Sequence, residues 1–274
     1  MNDRFRASFV HLVPVLASLM FGALCTLLLS TSSIELPRST IFSENKGGPP
    51  LNATYFVILI GVGAFMLYRL VKWNKYKLIK LITGFALVST VFMLSSVYSW
   101  AALSILAVPN IEAFIVLISM PVTIFSGYAI FQCSNRVGSL IVVVLGGALG
   151  TFLGASIPTV SAILILCFSA VYDIFAVYRG PVGKIALTGL QKLRGLSFSF
   201  QDIQMGLGDL VFYSMLSGHV LLKFSLISYA ATVLGIIAGC LLTFSLLEKK
   251  KMFPGLPFPV LFGLGSACLL AIIC

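Results

Sequence analysis

Residues 203–221 read IQMGLGDLVFYSMLSGHVL, an apolar stretch interrupted by a single acid, Asp209. At 1.5 Å per residue, an apolar run of about twenty residues crosses roughly 30 Å of hydrocarbon, so the segment reads as a membrane span carrying an ionisable group. Working outward, similar runs recur at about 9–30, 53–70, 81–107, 111–131, 138–156, 158–178, 225–247 and 256–273, which makes nine spans in 274 residues. The runs are continuous rather than alternating, which predicts helices and not a β-barrel. Hydrophobic residues are 59% of the chain and charged residues 9%, against about one-quarter charged in a soluble domain. The expectation is an all-α membrane protein, a polytopic bundle of nine transmembrane helices. No soluble domain fits between the spans, so residues 1–274 read as one transmembrane domain, with spans one to five over about 9–156 and spans six to nine over about 158–273.

The net charge of +10 sits in short basic clusters between the apolar runs, which points to topology and not to a nucleic-acid partner. With the amino terminus inside, that side collects Arg4, Arg6, Arg69, Lys72, Lys75, Lys77, Lys80, Arg136, Arg179, Lys184, Lys192, Arg194 and Lys249 to Lys251, leaving Arg38, Lys46 and Lys223 outside. Adding or removing one span scrambles that partition, so the count also puts the carboxyl terminus outside. The cluster from Arg69 to Lys80 is compatible with contact to anionic lipid. The first run exceeds a signal-peptide core in length and reads as a retained helix. Cys25, Cys133, Cys167, Cys240, Cys268 and Cys274 form no CxxC pair, and His11 and His219 have no metal-binding spacing, so neither metal nor cofactor is expected. Asn52-Ala53-Thr54 is a glycosylation sequon in the predicted outer loop. Gly146, Gly150 and Gly154, like Gly235 and Gly239, lie four apart on one helix face and favour close internal packing, with a homo-oligomer contact as the rival reading.

Six of the eight acids fall in loops or at span ends; Asp173 and Asp209 fall inside spans. A carboxyl group there costs about 2.5–3.5 kcal/mol on insertion scales, so its default reading is functional. Counting back from Arg179 and forward from Asp202 at 1.5 Å per residue sets both carboxyls about 9–10 Å below the inner surface. Facing each other at one depth, they are expected to share a proton. That is the unit of aspartic proteolysis: one carboxylate takes a proton from an attacking water while the protonated partner donates to the developing oxyanion. Gly206 and Gly208 clear side chains from before Asp209. The rival for such a pair is an ion or proton path.

Three motifs, in order and in their assigned spans, are VYDIFAVYRGP (Val171 to Pro181), GLGDLVFYS (Gly206 to Ser214) and KKKMFPGLPFPVLFG (Lys249 to Gly263). They resemble the YD, GxGD and PxLP motifs of presenilins and signal peptide peptidases, the GxGD intramembrane aspartyl proteases, and their wording is nearest to presenilins. The resemblance implies that Asp173, after Tyr172, and Asp209, in Gly206-Leu207-Gly208-Asp209, are the catalytic pair. It also implies that Pro254-Gly255-Leu256-Pro257 borders the active site. Two prolines keep that segment irregular, and its free backbone groups suit an unwound substrate added as a strand.

The chain departs from the family at Gly255, where alanine is usual, and in having only Arg179 to Asp202 between the aspartate spans instead of a long insertion that is cut in maturation. It resembles a compact, archaeal-type presenilin homologue that works without accessory subunits. The expected function is an intramembrane aspartic endopeptidase acting on transmembrane-helix substrates within the bilayer. The expected location is the cell membrane of a prokaryote or an endomembrane of a eukaryote. An ion leak or proton-coupled transporter using the same acids is the alternative; no repeated halves with matching broken helices favour it.

Overall fold

In a computed structural model the protein is described over residues 8–32, 34–45, 47–106, 108–132, 135–180, 197–200, 203–248 and 252–273. A short 3-10 turn, Phe9–Leu12, leads into α1 (Val13–Thr31), α2 (Gly48–Lys72), α3 (Tyr76–Ile105), α4 (Ile111–Gln132), α5 (Asn135–Ser156) and α6 (Thr159–Tyr178). Strands β1 (Ser197–Phe200) and β2 (Ile203–Gly206) follow, then α7 (Leu207–Lys223), α8 (Leu226–Leu247) and α9 (Pro257–Ile273). Each expected span has its helix, and among the described residues seven are long and apolar enough to cross a membrane. The protein is an integral multi-pass membrane protein, nearly all helical. Several basic residues of the topology count lie outside the described residues, namely Arg4, Arg6, Lys46, Lys184, Lys192, Arg194 and Lys249 to Lys251. So do Cys133, Cys274 and most of the Arg179 to Asp202 connection.

The seventh span needs correction. Residues 203–206, expected to begin it, are extended and pair antiparallel with β1, with Ser197 opposite Gly206 and Phe200 opposite Ile203. Apolar periodicity cannot separate a short strand from a helical turn, and Gly206 contributes little to a helix. Its backbone is extended, at φ −77° and ψ 145°, and serves as the N-cap of α7. The depth count fails with it, because an extended residue advances about 3.3 Å and not 1.5 Å. With 17 residues, α7 rises only about 25 Å, less than the hydrocarbon thickness.

That short helix is the axis of the bundle. Every residue from Leu210 to Val220 is buried. Glycines make this enclosure workable: a Cβ on Gly146 would stand 2.7 Å from Leu210 Cβ, one on Gly150 2.3 Å from the Val211 carbonyl, and one on Gly154 2.6 Å from the Met215 carbonyl. These contacts run α5 parallel to α7, while Gly147 against the Ser18 carbonyl and Thr151 Oγ1 donating to the Gly22 carbonyl set α1 parallel to α5. Gly235 and Gly239 let α9 approach α8 antiparallel, against Phe262 and Pro259. Both glycine stripes are therefore spent on internal packing.

At the far end, residues 39–44 are tied to the start of α6. Ser39 bonds Ser156 through both backbone and hydroxyl, and Ser161 donates to Glu44. Asn52 belongs to this knot. It lies in α2 and is 4% exposed, and its Nδ2 donates to the Phe42 carbonyl at 3.0 Å and to Ser161 Oγ at 3.1 Å. The sequon is a buried helical joint, not a loop acceptor, because the proline-bearing start of α2 reaches back to Gly48.

Two outcomes follow from this packing. Gly150→Ala should cost about 1–3 kcal/mol in detergent unfolding, since backbone atoms cannot yield to the new methyl, whereas Gly265→Ala, with nothing within 4 Å, should be neutral or mildly stabilising. Expression in a eukaryotic secretory membrane should leave Asn52 unmodified, seen as no glycosidase-sensitive mobility shift.

Candidate active site

Three element ends converge here. Asp173 lies little more than a turn before the end of α6 at Tyr178, Asp209 sits in the first turn of α7, and residues 252–256 arrive as irregular chain before α9 starts at Pro257. Pro257 begins a helix without cost because its missing N–H has no intrahelical acceptor. Leu256 acts as the N-cap, its carbonyl accepting from Val260 N–H at 3.0 Å.

The Gly255-Leu256 peptide stands between the two acids. Leu256 N–H donates to Asp173 Oδ2 at 3.0 Å. On the other side, a Cβ at Gly255 would lie 3.0 Å from Cγ, Oδ1 and Oδ2 of Asp209. The Asp209 carboxyl turns back toward the start of α7, its Oδ2 3.6 Å from where a Cβ on Gly206 would stand. Both carboxyls are half-buried and within electrostatic range of one another.

The other expected site residues divide. Gly206 caps α7, and Gly208 is exposed with no atom within 4 Å of where its Cβ would be, leaving free space beside Asp209. Pro254, Leu256 and Pro257 are buried and hold the segment in place. Tyr172 packs over Gly61 of α2 while staying in electrostatic range of Asp173. Leu207 turns away toward Gly146 of α5 and serves packing. One residue escaped the sequence reading: Tyr213, 1% exposed, whose hydroxyl donates to the Gly255 carbonyl at 2.8 Å. Its spacing of four from Asp209, which puts both on one helix face, was the available signal. His219 is a structural joint, bonding the Gly154 carbonyl and Thr159 Oγ1. A cavity of about 230 Å³ bordered by α6, α7 and α9 lies at that opposite end, lined by Ala162, Leu166, Val220 and Leu264.

Chemically, two adjacent carboxyls in low dielectric favour one shared proton, and backbone donors steady whichever is ionised. Such a site can take and give a proton at neighbouring points, which suits water-driven cleavage of a polarised carbonyl.

The presenilin family model matches residues 186–272. Presenilin-B of Dictyostelium discoideum is 23% identical over 222 residues, covering 76% of this chain and 46% of that protein, so the chain spans a little under half the length of the relative it matches. Two structures of a presenilin family intramembrane aspartate protease, from different crystal forms, align with TM-scores of 0.67 and 0.68 at 17% identity. They cover 96% and 99% of this chain and 97% and 100% of theirs, and at that identity the likeness is one of fold. The chain is thus similar to presenilins in sequence, with the family model confined to its last third, and in fold along nearly its whole length.

The packing at Gly255 carries its own test. An alanine needs the Asp209 carboxyl to yield by a few tenths of an ångström, and the space beside Gly208 permits that. Gly255→Ala should therefore unfold within about 1 kcal/mol of the parent, while Gly255→Val should lose about 1–3 kcal/mol, both read by thermal unfolding in detergent.

Proposed function

We propose that this presenilin-like chain is an intramembrane aspartic endopeptidase in which Asp173 and Asp209 are the catalytic pair. The observation that carries this reading is the approach of both carboxyls to the same Gly255-Leu256 segment, at the meeting point of three membrane helices.

In the reaction, the ionised carboxylate removes a proton from a water, whose oxygen forms a bond to the scissile carbonyl carbon. The protonated partner gives its proton to the carbonyl oxygen, so the tetrahedral diol forms without a free charge. Proton return then reverses the roles: a carboxylate takes a diol proton, the C–N bond breaks, and the leaving nitrogen is protonated by the other acid. The products are a carboxylic acid and an amine, and the pair is again singly protonated. No cofactor enters the sequence.

The substrates are single transmembrane helices that approach sideways from lipid. A carbonyl bonded within a helix is shielded, so the substrate unwinds locally. Its freed backbone groups pair as an added strand with the irregular chain at 252–256, next to the hairpin edge. The bare approach over Gly208 admits the water and the scissile bond. The site faces the inner side, with the amino terminus inside and the carboxyl terminus outside, in the cell membrane of a prokaryote or an endomembrane of a eukaryote. Accessory subunits are not needed for activity.

Reconstitution of the purified chain with a single-span substrate tests the reading. The parent should cleave, and Asp173→Asn and Asp209→Asn should each reduce cleavage to background while keeping the parent's thermal unfolding. A hydroxyl-bearing transition-state mimic should bind the parent and neither variant. An intact substrate beside aspartate-dependent ion flux overturns the protease in favour of a transport path.

A further inference from the structure

We infer that Tyr213 is a positioning residue for Asp173, acting through the single peptide unit that joins Gly255 to Leu256. This rests on the protease reading above and adds a residue to it.

The geometry is specific to that unit. The Gly255 carbonyl accepts from the Tyr213 hydroxyl at 2.8 Å, and the N–H of the same peptide donates to Asp173 Oδ2 at 3.0 Å. The bond is trans, so its C=O and N–H point in opposite directions within one rigid plane. Holding the oxygen therefore fixes where the N–H aims. Drawing charge toward the carbonyl oxygen also strengthens the N–H as a donor, since linked hydrogen bonds polarise one another in low dielectric. Tyr213 sits one turn along α7 from Asp209, on the same face. The helix that carries one acid thus sets the position of the other, with Gly255 packed 3.0 Å (measured to its would-be Cβ) from the Asp209 carboxyl in between.

The phenol is 1% exposed, so its hydrogen bond is shielded from bulk water. It also lies beside Cys240 of α8. That second contact is the one a purely structural role would emphasise, and it supplies the control.

The experiment compares parent, Tyr213→Phe and Cys240→Ala in the reconstituted cleavage assay, with thermal unfolding of each. Tyr213→Phe should lower kcat roughly ten- to a hundredfold, the range for lost supporting hydrogen bonds at active sites. Its KM should stay within about twofold, because the bond acts on the acid and not on substrate binding. Cys240→Ala should retain the parent kcat. An unchanged kcat in Tyr213→Phe overturns the inference, as does an equal loss in Cys240→Ala, which reassigns the phenol to core packing. If Tyr213→Phe unfolds, 3-fluorotyrosine at this position decides instead. It preserves shape and changes donor strength, so kcat should move by about twofold or more, and an unmoved kcat overturns the relay. Failure of the protease reading looks different: the parent itself does not cleave, or the Asp173→Asn and Asp209→Asn variants still do.

Discussion

Two helices begin inside this bundle, and a helix start exposes amide N–H groups that hydrocarbon cannot satisfy. The two membrane acids meet that demand. Asp209 turns back toward Gly206 at the head of α7, and Asp173 reaches across from α6 to Leu256 N–H at the head of α9. Each carboxyl is thus a cap as well as a candidate reactive group. The positive ends of two helix dipoles point at the site, which favours the negative charge that one acid must carry. Removing either side chain exposes a helix start, whereas an asparagine keeps an acceptor there.

The central place of the candidate site in the bundle follows from α7. At 17 residues it is too short to span, and its flanks are buried against α1, α5, α8 and α9, so it never needs to match lipid thickness. The glycines of α5 are the condition for this. Without Gly150 and Gly154 the backbones of α5 and α7 could not approach, and α7 would lose its central place. A polar helix start at membrane depth is tolerated because protein surrounds it.

Much of this was legible in the chain. Hydropathy marked every helix, because continuous apolar runs of span length have one solution in lipid. The partnership of Asp173 and Asp209 was readable from their isolation among apolar residues and from the motifs around them. What the sequence concealed is local. Ile203 to Met205 are as apolar as a helical turn, so the strand leading into Asp209 was invisible to periodicity, and the depth argument paired the two acids through incorrect arithmetic. Tyr213 looked like one more aromatic in a buried helix, since nothing in FYS says that its hydroxyl meets a peptide more than forty residues away in sequence. Asn52 looked like a loop residue because its partners, Phe42 and Ser161, are joined to it only by the fold.

The knot of Ser39, Glu44, Asn52, Ser156 and Ser161 fixes the far end of α6, some distance from any chemistry. From Ser161 to Asp173 is about 18 Å of helix at 1.5 Å per residue. A rod clamped at one end moves most at the other: a tilt of about 10° displaces Asp173 by about 3 Å over that length, roughly one hydrogen-bond distance. The clamp therefore turns α6 into a lever whose fulcrum is remote from the reacting atoms. A small swing that parts α6 from α9 would uncouple Asp173 from Leu256, and the return swing would restore the contact.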